Sequence, residues 1–166
     1  MDNPMPEIVV IAHDLRSNHN VGSILRTCDG LGVTKFVATG TTPFPRLKND
    51  TRLPHIIDRA TSQIGKTALG AEQTISVESS EINKIIKDLR SNGYSIYALE
   101  QADGSQNLRS FIPCLPFALV VGNEPNGLSD QVLELCDKVV EIPMQGNKES
   151  FNVSVACGIA LWQLTS

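Results

Sequence analysis

Apolar residues follow two rhythms along this chain. Continuous apolar or β-branched runs at Glu7–Ala12, Lys35–Thr39, Thr74–Val77, Tyr94–Leu99, Phe117–Val121 and Val139–Ile142 predict short strands, most of them buried. Between the runs the spacing changes to steps of three and four. Val21, Ile24, Leu25, Cys28 and Leu31 share one helical face, which predicts a helix over Val21–Leu31 closed by Gly30 and Gly32. Ile82, Ile85, Ile86 and Leu89 predict a second helix over Glu81–Ser91, stopped by Asn92-Gly93. Further helices are expected over Ser129–Leu135 and Ser150–Leu164. Strands alternating with helices imply an α/β fold with a mainly parallel sheet, and one domain is expected over 1–166.

Residues 40–66 interrupt this order. The segment is polar, carries Pro43, Pro45 and Pro54, and suggests only a short helix around His55–Gln63. A connection this long is usually functional or mobile. It is also basic, with Arg46, Lys48, Arg52, Arg59 and Lys66 against Asp50 and Asp58. That patch stands out because the formal net charge is −4: residues 1–66 carry eight Lys/Arg against six Asp/Glu, the remainder six against twelve. The net charge therefore argues against a general electrostatic grip on nucleic acid, whereas the basic stretch is of the kind that contacts phosphates locally.

Composition narrows the class further. A 41% hydrophobic content over 166 residues suits an ordinary globular domain, and no apolar run approaches the roughly 20 residues of a membrane span. The N-terminus has no secretory pattern, so the widely spaced Cys28, Cys114, Cys136 and Cys157 read as reduced, mostly core thiols in a cytoplasmic protein. His13, His19 and His55 have no ligand spacing with one another or with the cysteines, and no metal is expected. Ala60–Thr67 fits a relaxed phosphate-binding P-loop, but the polar segment before it makes a poor central strand.

Three separated segments carry the candidate chemistry, and each also has a plain structural explanation. In Asn20–Arg26, Asn20 suits a helix N-cap, and Arg26 lies on another face of the same helix. In Gly122–Leu128, Glu124 follows an apolar strand among glycines that would admit a ligand close to the backbone, or would simply make a tight turn. In Ile142–Ala156, Pro143 ends a strand and Ser150 suits a cap. Small residues along the helix that follows (Ser154, Ala156, Gly158, Ala160) keep it thin.

Taken together, Asn20-x-Gly22-Ser23-Ile24-x-Arg26-Thr27, Gly122-x-Glu124-x-x-Gly127-Leu128 and Ile142-Pro143-Met144-x-Gly146 with Ser150–Ala156 resemble the three motifs of the SpoU branch of the knotted RNA methyltransferases, in the family's order. Gly65–Glu72 also resembles a segment common in that branch, a better account of it than a P-loop. The resemblance implies a C-terminal deep trefoil knot, a homodimer and S-adenosylmethionine held around Gly122, Ile142, Met144 and Phe151. Phe151 stands where the family most often has leucine. The implied reaction is methyl transfer to a ribose 2′-hydroxyl of tRNA or rRNA, with neither DNA nor membrane as partner. Arg26 is tied to activation of the hydroxyl, with Asn20, Glu124, Ser150 and Asn152 as positioning groups. With no separate RNA-binding domain expected, RNA contacts fall to Arg26, Arg46, Lys48, Arg52 and Lys66.

Overall fold

The computed structural model describes residues 7–166. Its seven strands are β1 (Ile8–His13), β2 (Lys35–Thr39), β3 (Ser76–Ser80), β4 (Ser95–Leu99), β5 (Gln106–Asn107), β6 (Phe117–Val121) and β7 (Lys138–Glu141). They form one sheet in the order β3-β2-β1-β6-β4-β7-β5, parallel throughout. The helices are α1 (Asn18–Gly30), α2 (Pro54–Ala68), α3 (Ala71–Thr74), α4 (Ile82–Ser91), α5 (Asp130–Glu134) and α6 (Val153–Thr165). The expected α/β class with a parallel, helix-flanked sheet is the one observed.

The apolar runs are continuous because the sheet is covered on both faces. Val10, Ala12, Phe36, Leu119 and Val121 pack on one side with residues of α1, α2 and α6. Their neighbours Val9, Ile11, Val37, Ala118 and Val120 face α4 and α5 on the other. Pairing of Val10 with Leu119 and Ile11 with Val120 holds β1 and β6 at the centre of this double core.

Parallel strands put their carboxyl ends along a single edge. The chain first builds outward through β1, β2 and β3, then continues from β4 on the opposite side of β1. Loops leaving the two sides diverge there, opening the crevice in which open α/β sheets place ligands. One crossing shapes this edge. β7 lies between β4 and β5, so residues 100–105 arch over its carboxyl end, with Glu100 N donating to Val140 O at 3.0 Å.

Several expectations change in detail. The short helix expected around 55–63 extends over Pro54–Ala68, with Pro54 at its first turn, where a missing N–H costs nothing. Ala60–Thr67 lies inside this helix, so its amides serve the helix and the P-loop reading is excluded. The expected strand at 74–77 begins only at Ser76, after α3. Asn20 is not the N-cap of α1. Ser17 is, its side chain accepting from Asn20 N. Ser150 likewise does not cap α6; Asn152 does.

The small residues also act elsewhere than expected. A Cβ on Gly158 in α6 would meet only ordinary contact, 3.6 Å from Thr27. The close approach is between α1 and α2, where a Cβ on Gly22 would fall 2.3 Å from Ile64 O.

Candidate functional site

Glu124 is reached from sequence positions more than a hundred residues away. Its Oε2 accepts from Arg16 N at 3.1 Å and its Oε1 from Ser17 N at 3.3 Å, at the start of α1. Asn20 Nδ2 donates to the same Oε1 at 3.0 Å. A carboxylate at a helix N-terminus meets unpaired amides and the positive end of the dipole. Burial pushes the Glu124 carboxyl up, yet the bonds from Asn20 and the two amides outweigh it and hold the group below its ordinary range.

The network continues into the third segment. Asn20 Oδ1 accepts from Asn152 Nδ2 at 3.2 Å. Asn152 Oδ1 in turn accepts from Ser154 N at 2.9 Å and Ser154 Oγ at 2.6 Å. Since Nδ2 of Asn20 is committed to the carboxylate, its Oδ1 is the acceptor, and Asn152 must donate. Three of the expected positioning residues, Glu124, Asn20 and Asn152, are thereby brought into one bonded series. Asn123 adds a further tie, its Nδ2 donating to Asp14 O at 2.6 Å. Asp14 has φ +55°, a strained conformation that this bond and Thr41 N (2.9 Å to Asp14 Oδ1) hold in place.

Two cavities flank Ile142 and Phe151. The first, about 290 Å³, is lined by Gly122, Glu124, Ile142, Ser150 and Phe151 together with Leu99, Glu100 and Gln101. The second, about 890 Å³, is more apolar and includes Met144, Gly146, Thr27, Ile159 and Trp162. Of the expected cofactor residues, Gly122 therefore belongs to the first cavity, Met144 to the second, and Ile142 and Phe151 to the wall common to both. Gly122 and Gly127 serve the turn itself rather than leaving room for a ligand. A Cβ on Gly122 would fall 2.6 Å from Gly127 C, and one on Gly127 would fall 2.0 Å from Glu100 Oε2.

Arg26 projects from α1 as an exposed side chain, outside the ion pairs found among the described residues. Glu124 holds Asn20 and the α1 amides, not Arg26. The basic segment divides in two. Arg52 is committed internally: it bonds both Asp50 oxygens and the carbonyls of Phe44 and Pro45, and lies 3.7 Å over the Phe44 ring. It organises the loop, with its guanidinium turned inward on Asp50 and the two carbonyls. Arg46 pairs with Asp58 at the surface, Lys66 Nζ donates to Gln63, and Lys48 is exposed.

Leu99, Glu100 and Gln101 were not among the expected site residues. Their position at the end of β4 and just past it, on the ligand edge, was the available signal. Two of the four free cysteines are core residues as expected: Cys28 and Cys157 are buried, and burial pushes the Cys157 thiol up to about 12. Cys114 is exposed. No group of metal-ligating side chains occurs among the described residues.

Fold and site together define a parallel α/β protein whose polar network and cavities converge at one strand edge. The chain belongs to the SpoU rRNA Methylase family, whose model matches residues 7–162. A TrmH family protein of Staphylococcus haemolyticus is 32% identical over 157 residues, covering 94% of this chain and 57% of that protein. The tRNA (guanosine(18)-2′-O)-methyltransferase of Aquifex aeolicus is 30% identical over 168 residues, covering 98% of this chain and 71% of the relative. The chain thus spans little more than half the length of the staphylococcal relative. The structure of an AdoMet-bound rRNA methyltransferase from Sinorhizobium meliloti superposes with a TM-score of 0.79 at 24% identity, over 98% of this chain and 57% of that one. The architecture is the α/β-knot fold of the SpoU relatives.

Proposed function

We propose that this chain transfers the methyl group of S-adenosylmethionine to a ribose 2′-hydroxyl of tRNA or rRNA. The observation that carries the reading is the bonded series Glu124–Asn20–Asn152, which joins all three motif segments beside a cavity at the strand edge. Membership of the SpoU family supports it, as does the Aquifex relative's 2′-O-methyltransferase activity.

The residues present fit the cofactor. The first cavity combines apolar walls (Leu99, Val121, Ile142, Phe151) with carboxylates and no Lys, Arg or His, which suits a ligand bearing positive charge beside apolar parts. Gly122, Ile142, Ser150 and Phe151 would hold it there. Met144, on the far side of the Ile142–Phe151 wall, would support its loop. When bound, the cofactor supplies an electrophilic methyl on sulfur.

The chain's own contribution is alignment and charge. In-line displacement gains most of its rate from correct placement of the reacting atoms. Asn20 and Asn152, fixed by Glu124, hold the ends of α1 and α6 in register. A guanidinium keeps its proton, so Arg26 acts by binding an RNA phosphate and stabilising the developing alkoxide. Arg26 lies about 9 Å along α1 from Asn20. Arg46, Lys48 and Lys66 supply further phosphate contacts.

The reading includes a homodimer, supported by α6, which is apolar on both sides. Cys157, Leu161 and Leu164 face the core, while Val155, Ile159 and Trp162 (66% exposed) form an outward strip at helical spacing. We infer that a second copy covers this strip. A cytoplasmic location suits the four free thiols, and no helix among the described residues is long and apolar enough to cross a membrane. The test is incubation of the protein with labelled S-adenosylmethionine and total tRNA or rRNA, followed by nucleoside analysis. Label in a 2′-O-methylated nucleoside supports the reading, and label confined to methylated bases contradicts it.

A further inference from the structure

Glu100 has no task in the mechanism above, yet it is one of the most firmly held side chains in the first cavity. Its Oε2 accepts from Leu128 N at 2.9 Å and its Oε1 from Gln101 N at 2.8 Å. Gly127, at φ +64°, leaves the space the carboxylate occupies. Each oxygen retains a lone pair after these bonds, and neither meets a cationic side chain among the described residues. The other two carboxylates of the lining differ: Glu124 is engaged by Asn20 and the start of α1, and Glu149 stands on an exposed loop. Glu100 is thus a carboxylate fixed by main-chain donors in a cavity without a counter-cation.

We propose that Glu100 is a specificity-determining residue: it makes this cavity favour the cationic sulfonium of S-adenosylmethionine over the neutral thioether of the demethylated product. The inference rests on the cofactor reading above. The two ligands share adenosine, ribose and amino acid and differ by one methyl and one positive charge at sulfur. A fixed carboxylate nearby attracts that charge without first having to be ordered. Loss of the methyl removes the attraction, so the spent ligand leaves more readily. In an open cavity the effective dielectric is high, so a unit charge beside the carboxylate gains only a factor of about three in affinity.

The test is calorimetric titration of the full chain with S-adenosylmethionine and with S-adenosylhomocysteine, for the wild type, Glu100→Gln and Glu100→Asp. The ratio of the two dissociation constants is the readout, because damage to the turn alone weakens both ligands by the same factor. The expected result is a ratio lowered about threefold in Glu100→Gln and retained in Glu100→Asp. Added salt should weaken only the sulfonium ligand in the wild type, a measurement that needs no variant to fold. An unchanged ratio in Glu100→Gln, or equal salt sensitivity of both ligands, overturns the role of Glu100 and leaves the cofactor reading intact. Failure of the wild type to bind either ligand overturns both.

Discussion

Asn20 and Glu124, 104 positions apart, are joined by a 3.0 Å hydrogen bond that fixes which way the Asn20 amide faces. With Nδ2 turned to the carboxylate, Oδ1 is left to receive Asn152. One orientation of one amide therefore couples the start of α1, the turn after β6 and the start of α6.

Replacing Asn20 by alanine removes both bonds at once. The expected stability loss is about 1–3 kcal/mol, since Glu124 keeps its two amide donors while Asn152 keeps Ser154. Methyl transfer should fall far more than stability does, because the register of α1 and α6 is lost. Urea unfolding and a turnover assay on the same preparation check the two effects separately.

Acid should expose the role of Glu124. Its folded-state carboxyl is held below the ordinary value of 4.5. The stabilisation it provides is therefore complete above that pH and disappears as pH falls through the lower folded-state value. In Glu124→Gln the neutral side chain cannot make this contribution at any pH. Denaturation midpoints compared from pH 7 to pH 3 should differ most at neutral pH and converge in acid.

Arg46 and Arg52 should part company. Arg46→Ala breaks an exposed pair with Asp58, worth at most about 1 kcal/mol, and should chiefly weaken RNA binding. Arg52→Ala removes the group that holds Asp50, Phe44 and Pro45 together, so it should open the 44–52 segment to protease while Arg46→Ala does not. Limited proteolysis and RNA filter binding distinguish them.

Trp162→Glu places a charge in the outward strip of α6, where the native indole is two-thirds exposed. The monomer fold should survive. Light scattering should report the wild type as a dimer and the variant as a monomer.

Much of the fold was legible because the sheet is buried on both faces. Phe117–Val121 can be only a central strand, and its apolar run shows it without ambiguity. β5, with two polar residues, Gln106 and Asn107, carries no such pattern. Its existence depends on β7 passing between it and β4. The caps were misassigned for a related reason. Ser17 and Asn20 both suit an N-cap, and only Glu124, more than a hundred positions away, decides that the Asn20 side chain points elsewhere. Gly22 and Gly127 show the same limit. Composition marks them as small, but the partner that requires smallness, Ile64 O for one and the Glu100 carboxylate for the other, exists only in the folded chain.

In the proposed reaction, Arg26 is the link between this scaffold and chemistry on RNA. The measurement that tests it most directly is single-turnover methyl transfer by Arg26→Ala, with S-adenosylmethionine affinity determined alongside. The account predicts unchanged cofactor binding and a transfer rate lowered at least about a hundredfold, the scale of losing one group that stabilises developing charge. Wild-type transfer by that variant would contradict it.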